Sequence, residues 1–458
     1  MTETLIVLAT AFAGFLLVDP FFGGALTKAT IAKWPLLALV FGSLVFHIVG
    51  RALTDPARLR RAAGEVLRTW WPIVVLASWV TLGSLFARFA EGIRESFLGL
   101  GLGMFCLPLM AVAVRSSRQP QAFLQGLAAV YVATVLGMLV VLLSDLHVFH
   151  EEIFVAVPLG AYFLAARPVR LWRFGLGVSL IAACLFSFKN TTFLIVLAVL
   201  AVCGVVWSQR LLRRRNRMGV VAAVYFLLPV LMVGAAALFW LWWTNRTGLP
   251  SGNVEYRTEM YGIAWRRFLE SPLWGTGFIE SSVTYFELFR VATRVQTLPT
   301  HSDILDMLAH GGLLAIVLWL LTVWQLVRIG AATIVQLASA PFGESNRGWR
   351  WMFLLVLVQL GALITYAVNP PLINPAHAYW VWGSAGVLWA LHRQLTDPLA
   401  PPVAWVHQVP SRLQLSAWAL LGLGLGRLLA PLLNPLRAAW RGLGPRLSGV
   451  VRRRKVVP

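Results

Sequence analysis

Apolar stretches of near-bilayer length alternate with short polar connections along almost the whole chain. A helix crossing a bilayer needs about 20 mostly apolar residues. On that measure twelve stretches qualify: 4–21, 34–50, 70–87, 97–114, 122–143, 152–166, 171–188, 191–208, 218–243, 303–328, 350–368 and 378–394. The alternation predicts an all-α polytopic integral membrane protein with about twelve transmembrane helices. One connection breaks the rhythm. Between Arg246 and Gly312 lie seven of the 18 acidic residues and six arginines, and the run Pro299-Thr300-His301-Ser302-Asp303 leads into the tenth apolar stretch. A membrane protein that does chemistry at the water boundary keeps its polar groups in such a place.

Charge orients the pattern. With the N-terminus in the cytoplasm, the even-numbered connections carry Arg51, Arg58, Arg60, Arg61 and Arg68, then Arg115 and Arg118, Arg167 and Arg170, Arg210 with Arg213–Arg215 and Arg217, and Arg347. The tail ends Arg452-Arg453-Arg454-Lys455 and falls on the same side. That excess follows the positive-inside rule, so both termini are expected in the cytoplasm and the long segment outside. The expected organisation is spans one to nine in 1–243, a large external loop with short helices in 244–302, spans ten to twelve in 303–395, and a basic cytoplasmic tail in 396–458. Within the tail, 413–426 is too short to span and reads as an amphipathic helix on the inner leaflet. The N-terminus lacks a positive leader region and reads as a first span rather than a cleaved signal.

Composition agrees. The chain is 458 residues, 59% hydrophobic and 12% charged, with mean hydropathy +0.74; soluble proteins carry roughly 25% charged residues. The net charge of +21 is spread between apolar stretches. It therefore sets topology and meets membrane lipids, and with no basic soluble domain nucleic acid is excluded as a partner. Cys106, Cys184 and Cys203 sit in apolar stretches without metal-ligand spacing and read as small core residues. Trp70-Trp71, Trp242-Trp243 and Trp380/Trp382 fall near expected span ends, where interfacial aromatic belts form.

Five residues are candidates for chemistry. His301 stands at a helix start, with Thr300 or Ser302 as the N-cap and Asp303 in the first turn. The positive helix end disfavours imidazolium there, so the ring can accept a proton. The plain alternative is an interfacial histidine that solvates a helix end. Arg257 opens an expected helix, Arg257–Glu270, and shares one face with Tyr261 and Trp265 at i, i+4 and i+8. An arginine fork beside aromatics suits a phosphate or diphosphate; a snorkelling arginine is the alternative. Lys189 sits in the very short turn Ser187-Phe188-Lys189-Asn190-Thr191 between two spans, where a lone cation needs a partner or must snorkel. Arg88 is a further candidate, although Glu91 and Glu95 offer it local ion pairs. His377, after Asn374-Pro375, is the fallback base. No nucleotide-binding loop and no Asp-x-Asp pair outside the membrane appears, so neither a cofactor nor a metal is expected.

These residues resemble the bacterial O-antigen ligase/polymerase superfamily, membrane glycosyltransferases that use polyprenyl-diphosphate-linked glycans. Ligases of that family carry His, then Asn/Ser/Gln, nine residues, Gly, two residues and Gly/Thr/Tyr. The chain reads His301-Ser302, nine residues, Gly312-Leu313-Leu314-Ala315, and departs at the last position. The run from Arg257 and Trp265 to Ser271-Pro272-Leu273-Trp274-Gly275-Thr276-Gly277 is similar to the family's arginine, tryptophan, Pro-Leu-x-Gly-x-Gly run. The Lys189 turn is similar to its Ser-Arg/Lys-Thr turn. The resemblance implies a metal-independent, inverting transfer in the bacterial inner membrane, with the site facing the periplasm. His301 would deprotonate the acceptor hydroxyl. Arg257 and Lys189 would hold the diphosphate, with Arg88 and Tyr261 as further substrate contacts. The implied partners are an undecaprenyl-diphosphate-linked glycan donor and lipid A–core as acceptor. A polymerase of O-antigen or exopolysaccharide differs only in the acceptor. A lipid or solute transporter is a third reading, disfavoured because charges cluster outside the spans rather than near their middles.

Overall fold

The computed structural model describes residues 30–86, 91–117, 153–165, 171–185, 190–211, 252–278, 302–339, 347–368 and 375–396. Among these residues ten helices account for nearly all the structure and no strand occurs. They are α1 (Thr30–Thr54), α2 (Pro56–Phe86), α3 (Glu91–Ser116), α4 (Ile153–Ala165), α5 (Leu171–Leu185), α6 (Asn190–Leu211), α7 (Gly252–Glu270), α8 (Asp303–Ser339), α9 (Arg347–Val368) and α10 (Pro375–Thr396). All but α7 overlie apolar stretches read from the sequence. The stretches 4–21, 122–143 and 218–243, both termini and the expected tail helix lie outside the described residues. By length and composition three described segments can cross a bilayer: Pro56–Leu85, Gly99–Ser116 and Asp303–Gln336. Shorter apolar helices run over Val40–Thr54, Thr192–Gly204 and Trp351–Tyr366.

Two boundaries differ from expectation, and both matter. The arginine-rich stretch after residue 50 is helical rather than a loose connection: α1 continues to Thr54, and α2 starts at Pro56 with only Asp55 between them. Pro56 suits a first helical position, because its missing N–H is one that a helix start leaves unpaired anyway. The early start of α2 also moves Trp70. Instead of marking a span end it lies mid-helix, fully buried, with its ring edge-on to Trp389 at 6.4 Å. Trp382 is likewise buried and stacks on Tyr366 at 6.2 Å. Trp71, about half exposed, keeps a position compatible with an interfacial belt; Trp242-Trp243 lie outside the described residues, and the Trp380 side chain is not described.

The core centres on α9. From Met352 to Leu360 its side chains are buried; the helix packs on α4, α6, α8 and α10. A polar bridge crosses its middle: Gln359 Nε2 donates to Val381 O at 2.9 Å and to Ser384 Oγ at 2.8 Å on α10. Where lipid replaces water, helices associate through close backbone approach and such bonds. The α3–α10 contact shows the first of these, since a Cβ at Gly103 would meet Ala378 and one at Gly386 would meet the Leu107 carbonyl.

At one end of the α2–α3 pair is a side-chain clasp. Arg115 Nε donates to Glu65 Oε2 at 3.0 Å and Nη2 reaches Oε1 at 3.5 Å. Arg58 Nη2 donates to Ser117 O at 2.8 Å, just past the end of α3.

Candidate functional site

The site is built where α7, the turn after it and the start of α8 meet. Ser302 caps α8: its carbonyl accepts from Asp306 N at 3.0 Å and its hydroxyl from Leu305 N at 3.4 Å. Of the two N-cap candidates, the described geometry gives the role to Ser302. Asp303 and Asp306 occupy the first turn, where a negative charge faces the positive helix end. Both are buried.

Nine residues on, α8 breaks. Gly312 has φ 58° and ψ −158°, a conformation essentially closed to residues with a Cβ. In an unbroken helix Leu313 N and Leu314 N would bond Ala309 O and His310 O. Here all four groups turn to the segment Pro272–Gly277 instead. Leu313 N donates to Pro272 O at 2.8 Å and Leu314 N to Leu273 O at 3.2 Å. Ala309 O accepts from Thr276 N at 3.0 Å and His310 O from Gly277 N at 2.8 Å. Two intrahelical bonds are thereby exchanged for four bonds to the turn, so these four backbone groups stay paired.

The exchange needs close backbone approach from both sides. A Cβ on Gly312 would lie 2.6 Å from Gly275 N and 2.7 Å from Leu273 O. One on Gly275, itself at φ 68°, would strike the His310 carbonyl. The two glycines therefore face each other across the splice.

Aromatic rings lock the turn sideways. Phe278 stacks on the His310 ring at 5.6 Å and meets Trp79 of α2 edge-on at 5.7 Å, while Trp274 meets the same Trp79 at 6.3 Å. His310 Nδ1 lies 3.0 Å from Gly277 O. A carbonyl only accepts, so Nδ1 carries the proton in this bond. His310 escaped notice in the sequence. Its signal was the run His310-Gly311-Gly312, two glycines inside an otherwise apolar helical pattern, which marks a packing constraint.

The candidate residues distribute unevenly. Arg257 lies on α7, which begins at Gly252, five residues before the expected start; its backbone is described and its side chain is not. Tyr261 is half-buried one turn further on. His301, Lys189 and Arg88 lie outside the described residues. His301 directly precedes the Ser302 cap, and Lys189 directly precedes α6. His377 is on the first turn of α10, its side chain not described. The structure thus brings the α7 turn and the Gly312 region together, and leaves the meeting of His301, Arg257 and Lys189 as a proposal. Among the described residues no group of three or more His, Cys, Asp or Glu could hold a metal ion.

Residues 174–320 match the family model for O-antigen ligase. This match supports assigning the chain to the O-antigen ligase/polymerase superfamily. No curated relative matches it. The superfamily match starts in α5, runs through α6 and α7, and ends beyond the break in α8. It contains Lys189, Arg257, Tyr261 and His301 together with both sides of the splice; Arg88 and His377 fall outside it. The family match and the apolar helices together support a membrane protein of the O-antigen ligase-type family.

Proposed function

We propose that the chain is an O-antigen ligase of the bacterial inner membrane, with about twelve spans, cytoplasmic termini and an active site facing the periplasm. It moves a glycan from undecaprenyl diphosphate to lipid A–core. The acceptor hydroxyl attacks the anomeric carbon from the face opposite the diphosphate. The new C–O bond forms as the bond to diphosphate breaks, the configuration inverts, and undecaprenyl diphosphate leaves. His301 takes the hydroxyl proton. Arg257 and Lys189 hold the departing diphosphate, so its charge is compensated without a metal or cofactor, and Arg88 and Tyr261 contact the substrate further out. The observation that carries this reading is the family match across 174–320, which includes the His301-Ser302…Gly312 signature. The splice supports it: it ties the turn after the Arg257-bearing helix to the helix that starts next to His301. Ala315, where ligases carry Gly, Thr or Tyr, is the feature that favours a polymerase as the second reading.

The test is transfer in vitro by purified His301→Ala and His377→Ala at matched protein levels. Loss of a general base costs about 10²- to 10⁴-fold in rate. His301→Ala is expected to lose at least about a hundredfold while still binding the lipid-linked donor, and His377→Ala to lose much less. Near-normal transfer by His301→Ala overturns the assignment. A deletion strain separates the acceptors: lost ligase leaves polymer on its lipid carrier, whereas lost polymerase leaves single repeats on the core.

A further inference from the structure

The outward face of α7 does not look like that of a helix bathed in water. One stripe, Met260, Ala264 and Phe268, is buried, as an amphipathic helix requires. The stripe beside it, about 120° round the helix, is also apolar. Trp265 is 51% exposed and Leu269 56%, and the turn prolongs the stripe with Leu273 at 63% and Trp274 at 62%. An apolar arc that runs on past the buried side of a helix calls for a second apolar surrounding there. Arg266 is exposed beside the stripe, and Arg267 is paired with Glu270 at 3.2 Å.

We infer that this stripe is a membrane-docking surface, seated at the boundary between lipid headgroups and acyl chains. Three observations name lipid as the occupant. First, the stripe is continuous with the exposed apolar side of α8. Leu273 O accepts from Leu314 N, and Leu313, Leu314 and Val317 are exposed just beyond the break, at the start of the long apolar run of a helix able to cross a bilayer. Second, two exposed tryptophans among leucines are the side-chain mix of the interfacial zone, where an indole keeps its body in the acyl region and its N–H in the headgroups. Third, Arg266 stands where a snorkelling guanidinium meets lipid phosphate. The polar segment that begins at α7 is therefore anchored in the leaflet at its root. The inference requires only that the chain is a membrane protein and stands apart from the reaction assigned above.

The test uses the full chain in nanodiscs of phosphatidylethanolamine and phosphatidylglycerol. Single cysteines are introduced as Leu269→Cys, Leu273→Cys, Glu270→Cys and Leu320→Cys in a background with Cys106, Cys184 and Cys203 replaced by alanine. Each is labelled with an environment-sensitive fluorophore after an unchanged Tm has been confirmed; the four sites are exposed, so none opens a core cavity. Labels at 269 and 273 are expected to emit blue-shifted, to be quenched at least about twofold more by shallow than by deep nitroxide lipids, and to resist aqueous iodide. The label at 320 should prefer deep nitroxides, and the label at 270 should respond to iodide. Iodide quenching at 269 and 273, with 320 still lipid-quenched, overturns the docking surface while leaving the membrane assignment intact. Protection from both iodide and nitroxides overturns it too, because protein then covers the stripe.

Discussion

Two junctions hold helices together by opposite means. At the α2–α3 end, side chains do the joining: Glu65 meets Arg115, and Arg58 reaches the carbonyl of Ser117. At the α7–α8 end, backbone does it, with four main-chain bonds between Pro272–Gly277 and Ala309–Leu314. A side-chain clasp works at a distance and tolerates exchange, since other pairs can fill the same gap. A backbone splice works only at contact distance. It therefore constrains residue identity at the glycines that allow the approach, and leaves the neighbours free. Family motifs of the Pro-Leu-x-Gly-x-Gly and Gly312 kind read accordingly as two halves of one joint.

Replacing Gly312 or Gly275 by alanine should break the contrast most severely. Each combines a positive φ with a Cβ driven into opposing backbone. Strain alone costs about 1–3 kcal/mol, and parting the splice forfeits bonds worth about 1 kcal/mol each. A loss of roughly 3 kcal/mol or more is expected, read as a clear fall in Tm in detergent. If either alanine variant melted like the parent, the joint would not be the constraint described.

A smaller effect is expected at the clasp. The pair is only partly buried, and Glu65→Gln should cost about 1 kcal/mol. The double change Glu65→Leu with Arg115→Leu should recover much of that, because apolar pairs commonly replace ion pairs at little cost. Failure of the double variant to recover, measured by thermal melting beside the single variants, would make the clasp as particular as the splice.

Smallest of all is Gly64→Ala, one residue from the clasp. A Cβ there meets nothing within 4 Å. Alanine in mid-helix should leave Tm unchanged or raise stability by up to about 1 kcal/mol. A drop instead would mean that glycine itself, rather than its place in the splice, is what this fold requires.

How much of this could be read in advance follows from what each feature depends on. Apolar periodicity alone located nine of the helices, because lipid-compatible length is a local property. It misjudged the start of α2: Arg58, Arg60 and Arg61 look like a connection, yet arginine is a good helix former and Pro56 a good start. Ser302 as the cap was within reach, since capping is written in three or four adjacent residues. The splice was not. Gly275 and Gly312 lie far apart in sequence, and each alone reads as a turn or an interrupted helix. His310 stayed hidden for the same reason, its partners Gly277 and Phe278 being supplied by a distant segment.

The break in α8 also bears on how such chains diversify. Between Phe278 and Ser302 the polypeptide leaves the joint and returns to it. Loop closure grows only slowly costlier with length, about 0.6 kcal/mol per doubling. Insertions and deletions in that interval ahead of His301 should therefore be cheap and leave the frame undisturbed. From Ser302 to Gly312, by contrast, one residue added or removed would rotate the helix start by about 100° relative to the splice. Descendants of an ancestral gene should keep that interval at constant length while the stretch between Phe278 and His301 varies more freely.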